Sequence, residues 1–202
     1  MAWHFKTDNL GPRPEFQYEG TPLTANGIIY STGGTRRAVF ALDAATGELL
    51  WTHSEREGAR VVRMRRGSCR DADSPTGPTA VKNAFCMSTP GYRLIALNAK
   101  AGTPVPGFVK DGVVDLKQDD GQEIDLVTGE VGLHAAPLVA KDVVIVGAAH
   151  RSGGLPRGKK NVKGYVRGFD VRTGKRLWIF HTIASLDVLR VFAFPVQAAR
   201  RS

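Results

Sequence analysis

Short apolar runs separated by turn-forming residues dominate the chain. Gly, Pro, Asn and Asp punctuate the runs, and no long stretch keeps the 3.6-residue period of an amphipathic helix. The runs are GIIYST (27–32), RAVFALD (37–43), LLWTH (49–53), YRLIALN (92–98), DVVIVGAA (142–149), YVRGFDV (165–171) and RLWIFHT (176–182). Their β-branched and aromatic content, together with this spacing, predicts an all-β chain folded as a sheet meander.

Two of these regions share one pattern, A-x-D-x-x-T-G-x-x-x-W, in which the second copy replaces only the leading Ala by Gly. An Asp ends one strand, a Thr-Gly pair turns the chain, and the next strand delivers a Trp. The residues are Asp43, Gly47 and Trp51 in the first copy, and Asp170, Gly174 and Trp178 in the second. Since a Trp buries about 150–250 Å², one at a fixed place in each repeat predicts an anchor between neighbouring sheets. Radially repeated four-stranded sheets are the blades of a β-propeller.

A third copy of the pattern begins at Ala96 and is incomplete. It keeps Asn98 and Gly102 but lacks the Trp. We expect Val105 or Phe108 to take the place of the missing indole.

The repeated pattern resembles the tryptophan-docking motif of quinoprotein dehydrogenases, which are eight-bladed propellers that carry pyrroloquinoline quinone (PQQ). The stretch VRGFDVRTGKRLWIFHTI is similar to this family almost residue by residue. At about 40–50 residues per blade, the chain holds about three to four blades. The resemblance therefore implies a partial β-propeller over residues 1–183.

The resemblance also implies cofactor-binding residues. EGTPLTANGIIYSTGG resembles the first-blade segment whose glutamate contacts PQQ, which here is Glu19. HAAPLVAKDVVIVGAA resembles a later blade that passes close to the cofactor, and it is flanked by His134 and His150. In the family a Ca²⁺ ion polarises the quinone carbonyl while hydride leaves an alcohol or sugar carbon. The five histidines share no zinc-like spacing, so no metal-binding residue is assigned.

Departures from the family pattern bear on the substrate. No carboxylate lies between His150 and Arg167, where alcohol-oxidising relatives are expected to carry a metal-binding Glu, and there is no adjacent cysteine pair. Both departures favour a glucose or other sugar substrate over a primary alcohol. The resemblance implies a quinone or cytochrome as electron acceptor, and the family's catalytic aspartate has no counterpart assigned here.

The stretch from Arg60 to Ser88 lacks alternation and contains both cysteines. A surface loop of this length is uncommon in a compact domain. Back-translated with suitable synonymous codons and read two nucleotides later, it yields GGADAPRQLPGRGLAYWTDGGEERILYV, which continues into TPGYRLIALN. GRGLAYW resembles a family segment whose arginine contacts PQQ. We therefore interpret residues 61–88 as an irregular, out-of-frame segment, and we interpret residues 184–202 as a tail outside the family; a genuine C-terminal helix is the alternative.

The formal net charge of +9 raises the question of nucleic-acid binding. Residues 61–88 hold five basic and two acidic side chains, and residues 184–202 hold three and one, which accounts for five of the nine net charges. Nucleic acid is therefore not an expected partner.

A second basic cluster is either a solvated loop or the rim of a substrate funnel near an anionic cofactor; its members are Arg151, Arg157, Lys159, Lys160, Lys163 and Arg167. The acidic residues Asp119, Asp120, Glu123 and Asp125 are interpreted as a polar hairpin.

Chain length limits what the molecule does alone. Three or four blades cannot close an eight-bladed ring, so we expect a fragment of a periplasmic or periplasm-facing dehydrogenase that is inactive by itself. The sequence shows no targeting leader and no run of about 20 apolar residues. A non-catalytic propeller scaffold, which shares the docking motif without the cofactor, is the alternative function.

Overall fold

A computed structural model describes residues 3–11, 22–34, 38–62, 84–109, 111–129, 131–132, 136–150, 158 and 161–182. Within these residues the fold is almost entirely antiparallel β-sheet, as the sequence predicted. The exceptions are a 3₁₀ turn at Asp8–Leu10 and a four-residue helix, α1, at Ala59–Val62. No helix in this part of the chain is both long and apolar enough to cross a lipid bilayer.

Thirteen strands make up three larger sheets and one two-stranded ribbon within the described residues. The first sheet contains β1 (Leu23–Ala25), β2 (Ile28–Gly33), β3 (Ala38–Asp43) and β4 (Leu49–His53) in sequential order. The second sheet contains β5 (Ala84–Ser88), β6 (Arg93–Asn98) and β7 (Val113–Asp115). The third sheet contains β9 (Leu138–Ala140), β10 (Val143–Val146), β12 (Tyr165–Asp170) and β13 (Arg176–His181), and β8 (Val131–Gly132) pairs with β11 (Ala149–His150) in the ribbon.

Each of the three larger sheets is an antiparallel meander, as expected of propeller blades. The two complete docking motifs have the same register, with Trp51 opposite Ala41 and Trp178 opposite Gly168, and a β-bulge follows each pair. The shared register and bulge indicate that the repeated sequence builds the same local structure twice.

The Asp of each motif closes its own turn. The carboxylate of Asp43 accepts hydrogen bonds from the backbone amides of Ala45 and Thr46 and from the Thr46 hydroxyl. Asp170 makes the same three bonds with Arg172 and Thr173, and Asn98 makes the two backbone bonds in the incomplete copy. Gly47, Gly102 and Gly174 end these turns with φ of 76°, 67° and 67°, which only Gly adopts without strain.

Indole rings dock the sheets to one another. Nε1 of Trp51, on the first sheet, donates to the carbonyl of Ala99 at 3.0 Å, and a Cβ added to Gly102 would lie 2.4 Å from the Trp51 ring. Trp3 docks in the same way on the first sheet, with Nε1 3.2 Å from the carbonyl of Ala44 and its ring against Gly47. The absence of a side chain on each glycine therefore makes room for a flat ring.

The third link uses Phe108 and its neighbour in place of the missing Trp. A Cβ added to Gly174 would lie 2.7 Å from Val109 and 3.0 Å from Phe108, and the amide of Val109 donates to the carbonyl of Thr173 at 2.9 Å. Phe108 thus fills the role expected of it, whereas Val105 packs against the neighbouring core instead. Within the described residues, the Trp178 ring does not lie on a glycine turn of another sheet, unlike those of Trp3 and Trp51. Trp178 is accordingly 39% exposed.

Two apolar cores lie between the three sheets, and the second sheet is buried on both faces. Phe85 and Met87 point into the core shared with the first sheet, whereas Cys86 points into the core shared with the third. All five residues of β5 are buried. Burial raises the pKa of the Cys86 thiol to about 12, so this thiol stays protonated.

The irregular structure expected over residues 61–88 is wrong for its last part, because residues 84–88 form β5. Within β5 the missing alternation has a physical reason, since residues 84–87 face an apolar core on either side and are therefore all apolar. Residues 63–83, with Cys69, and residues 183–202 lie outside the described residues. The reading-frame interpretation of 61–88 and the tail assignment stay predictions.

Replacing Trp51 by Ala should cost far more stability than replacing Trp178 by Ala. Trp51→Ala removes a half-buried ring from between two sheets, so its cost should lie near the lower end of the about 3–5 kcal/mol typical of core Trp-to-Ala substitutions. Trp178 lacks a docking partner, so we expect less than half of that loss. Urea unfolding of both variants measures the difference, and equal losses would contradict the docking role of Trp51.

Replacing Asp43 by Asn should leave the turn intact at neutral pH and remove part of its acid sensitivity. Hydrogen bonds from the backbone and side chain of Thr46 lower the pKa of Asp43, so the carboxylate stabilises the fold above the unfolded pKa and loses this effect as pH falls through the folded pKa. Asn98 already holds an equivalent turn without a charge. As the pH falls from about 5 to about 2, the wild type should therefore lose more free energy of unfolding than Asp43→Asn does. Acid unfolding of both proteins measures this, and a stability difference independent of pH would contradict the prediction.

Candidate functional site

The site begins at the end of β10, on the strand predicted to pass close to the cofactor. Val144 and Val146 are fully buried, and the chain then leaves the sheet at Gly147 and Ala148, here called the Gly147 corner, before entering β11. Of the predicted cofactor residues, His150 ends β11, where its backbone pairs with Val131. Glu19 and His134 lie outside the described residues and stay predictions.

The Gly147 corner presents bare backbone to open space. A Cβ added to Gly147 would meet nothing within 4 Å, and the same is true of Gly132, which pairs with Ala149 in the adjoining ribbon. Neither glycine has a positive φ, so turn geometry does not require glycine at either position. Bare glycine backbone at an open site lets a flat ligand approach the main chain closely.

Tyr92 lies beneath the corner, in the turn that joins β5 to β6 of the second sheet. Its side chain is buried, with 1% exposure, and its hydroxyl is 3.5 Å from the carbonyl oxygen of Gly147. Tyr92 has φ of 63°, a left-handed conformation that is rare for a bulky residue. Burial raises the pKa of the Tyr92 hydroxyl, although the positive charge of Arg167 acts in the opposite direction.

Arg167 holds the Tyr92 hydroxyl from the other side. It lies on β12 directly opposite Val146, the last residue of β10, and it is only 2% exposed. One guanidinium nitrogen donates to the Tyr92 hydroxyl at 3.1 Å and to the carbonyl of Leu116, and the other donates to the carbonyl of Gln118 at 3.1 Å. Because arginine can only donate, the Tyr92 oxygen accepts and its own hydrogen is free to bond Gly147.

The burial of Arg167 corrects its assignment to an exposed basic cluster. It belongs neither to a solvated loop nor to a funnel rim, because its charge lies between the second and third sheets, 5.8 Å from the Tyr92 ring and 5.6 Å from the Phe169 ring. Its Nε atom has no hydrogen-bond partner. Arg167 thus places a positive charge under the Gly147 corner, and the carboxyl of Asp120 lies close enough to interact with it.

The hairpin predicted for the acidic residues 119–125 is wrong, because they lie in turns between β7 and β8, which belong to different sheets. This acidic segment contacts Lys163, which precedes β12. The Gln122 side chain donates to the carbonyl of Lys163 at 3.0 Å and accepts from its amide at 2.8 Å. Asp120 is 4% exposed, and burial raises its pKa against the opposing effects of Gln122 and the Arg167 charge. Asp125 closes an Asp-x-x-Thr-Gly turn with Thr128. No three His, Cys, Asp or Glu side chains come together as a metal site in the part of the chain that the structure describes.

Several important residues carried a sequence signal that motif reasoning missed. Trp3 docks on the Gly47 turn as Trp51 docks on Gly102, and Asp125 begins another copy of the D-x-x-T-G turn. Tyr92 and Arg167 carried no such signal, because they lie 75 residues apart in the chain and meet only between two sheets.

The fold and site define a partial β-propeller whose sheets are docked by aromatic rings. The family model described as "Glucose/ethanol/alcohol dehydrogenase, beta-propeller domain" matches residues 1–189. The chain therefore belongs to the PQQ-dependent alcohol and glucose dehydrogenase family, which confirms the resemblance seen in the sequence.

Individual relatives include both alcohol and glucose dehydrogenases. The dehydrogenase subunit of a quinone alcohol dehydrogenase from Gluconobacter oxydans (strain 621H) is 33% identical over 96% of this chain and 24% of its own length. A quinoprotein glucose dehydrogenase from the same strain is 26% identical over 89% of this chain and 23% of its own length. The solved structure of quinohemoprotein alcohol dehydrogenase ADHIIG from Pseudomonas putida HK5 superimposes with a TM-score of 0.63 at 26% identity, covering 86% of this chain and 22% of that one. The chain thus spans about a quarter of the length of the curated relatives it matches.

Proposed function

We propose that this chain forms part of the cofactor-binding propeller of a PQQ-dependent dehydrogenase that oxidises a sugar or a primary alcohol. The Gly147 corner carries the proposal, because bare backbone there faces open space above a buried cation. PQQ is a flat, fused-ring tricarboxylate, and both properties fit such a site. When bound, it would supply the two-electron oxidant, and a quinone or cytochrome would accept the electrons.

This chain's own residues would position the cofactor. The backbone of the Gly147 corner would lie against the ring system, and the Arg167 charge would favour the anionic form. Glu19, His134 and His150 remain proposed cofactor contacts from the resemblance. Ca²⁺ as Lewis acid and a periplasmic or periplasm-facing location are proposed on the same basis.

Sugars and primary alcohols are the two proposed substrate classes. The missing carboxylate between His150 and Arg167 favours a sugar, whereas relatives of both kinds match the chain. Glucose and ethanol are therefore the two substrates to compare.

The chain should bind PQQ, and Gly147→Ala should weaken the binding. The added methyl group meets no protein atom, so the free energy of unfolding should change by no more than about 0.5 kcal/mol, but the methyl occupies the space in front of the corner. Titration of PQQ against intrinsic tryptophan fluorescence, with and without Ca²⁺, measures the affinity. Thr52→Ala, at an exposed position of β4, is the control that should bind as wild type does. Saturable binding that Gly147→Ala leaves unchanged would place the cofactor elsewhere, and absence of binding would favour the non-catalytic scaffold.

The chain by itself should show little or no turnover. In the part of the chain that the structure describes, no further sheet covers the face of the third sheet bearing Trp178, so we expect a pocket at the Gly147 corner to stay open to water. A dye-linked assay with PQQ, Ca²⁺ and either glucose or ethanol tests this expectation. Robust turnover of either substrate by the 202-residue chain would refute it.

A further inference from the structure

The Gly147 corner receives a specific support from the second sheet. Within the described residues, Gly147 carries no side chain to pack and its added Cβ would meet no atom, so packing alone does not fix this backbone. Its carbonyl lies 3.5 Å from the Tyr92 hydroxyl. This contact joins the third sheet to the second at the point where β10 ends.

Tyr92 is itself held on several sides. Its amide donates to the carbonyl of Thr89 at 2.9 Å, its carbonyl accepts from the amide of Leu116 at 3.1 Å, and its hydroxyl accepts from Arg167. The left-handed backbone of a buried tyrosine persists only where its surroundings fix it, and such strain concentrates at sites that need exact positioning.

Arg167 connects the same two sheets a second time. Its backbone lies on β12 beside the end of β10, and its guanidinium donates to the carbonyls of Leu116 and Gln118, which follow β7. The guanidinium also decides which way the Tyr92 hydroxyl hydrogen points. Because Arg167 donates to the Tyr92 oxygen, the hydroxyl hydrogen points to the carbonyl of Gly147.

We propose that Tyr92 and Arg167 act together as positioning residues that fix the backbone of the Gly147 corner in the conformation that receives the cofactor, an inference that rests on the proposed function. Tyr92 holds the corner directly, and Arg167 acts through Tyr92. Neither residue needs to touch the ligand.

Tyr92→Phe tests the proposal with Tyr30→Phe as a matched control. Tyr30 is also buried, and its hydroxyl donates to the carbonyl of Ala99 at 3.2 Å, but it lies between the first and second sheets, away from the corner. Each variant loses one hydroxyl that donates to a backbone carbonyl between sheets. A purely structural role predicts similar effects from both.

Hydrogen exchange of the full chain, followed by mass spectrometry, gives the first readout. Tyr92→Phe should accelerate exchange of the amides in residues 146–150 by about fivefold, the effect of losing one hydrogen bond, while Tyr30→Phe leaves them unchanged. Arg167→Lys keeps the positive charge but loses the planar guanidinium, so it should accelerate exchange of the same amides. The double variant with Tyr92→Phe should exchange only slightly faster than Arg167→Lys alone. Unchanged exchange in Tyr92→Phe, or equal acceleration in Tyr30→Phe, would overturn the proposal.

The dissociation constant of PQQ gives the second readout. It should rise about fivefold in Tyr92→Phe and stay at the wild-type value in Tyr30→Phe, and an equal affinity in the two variants would also overturn the proposal. If the wild-type chain binds no PQQ, the proposed function fails for this chain. The exchange measurement then still decides whether Tyr92 and Arg167 fix the corner.

Discussion

The stacking of an indole on a glycine of the next sheet is the contact on which this structure depends. Trp51 shows it most fully, with its ring over Gly102 and its Nε1 on the Ala99 carbonyl. The ring supplies apolar area, the hydrogen bond satisfies the one polar atom of the indole, and the bare glycine permits the close approach. The Asp or Asn turn holds the glycine in place. Each sheet therefore carries both an aromatic ring and a glycine turn that can accept the ring of a neighbour, and the sheets join in sequence order.

This mode of assembly explains why the cores lie between sheets. The second sheet is covered by the first on one face and by the third on the other, so residues 84–87 of β5 and 94–97 of β6 are all apolar and buried. One polar group, formed by Arg167 and Tyr92, lies between the second and third sheets at the end of β10. A buried cation there is costly unless it is hydrogen-bonded, and two backbone carbonyls and the Tyr92 hydroxyl accept from it. The same region supports the Gly147 corner, so the polar contacts between these sheets coincide with the candidate site.

Residues that act through local sequence were predictable. The turn of Asp43 and Gly47, and the strand that delivers Trp51, depend on neighbours within one motif, and the structure places them as expected. The substitution of Phe108 for a missing Trp was also visible, since its position in the incomplete copy is close to that of the indole. β5 was misjudged because alternation is a signal of one-sided burial, and this strand is buried on two sides. Arg167 was misjudged because charge alone indicated exposure, whereas its acceptors come from Leu116, Gln118 and Tyr92, which no local pattern connects to it.

A crystal structure of the chain soaked with PQQ tests the central claim most directly, because it shows the docking contacts and the cofactor position in one measurement. The account predicts the Trp51 ring lying on Gly102, with cofactor density against the backbone of Gly132 and Gly147. A Trp51 ring turned into solvent, or a cofactor bound away from these two glycines, would contradict it.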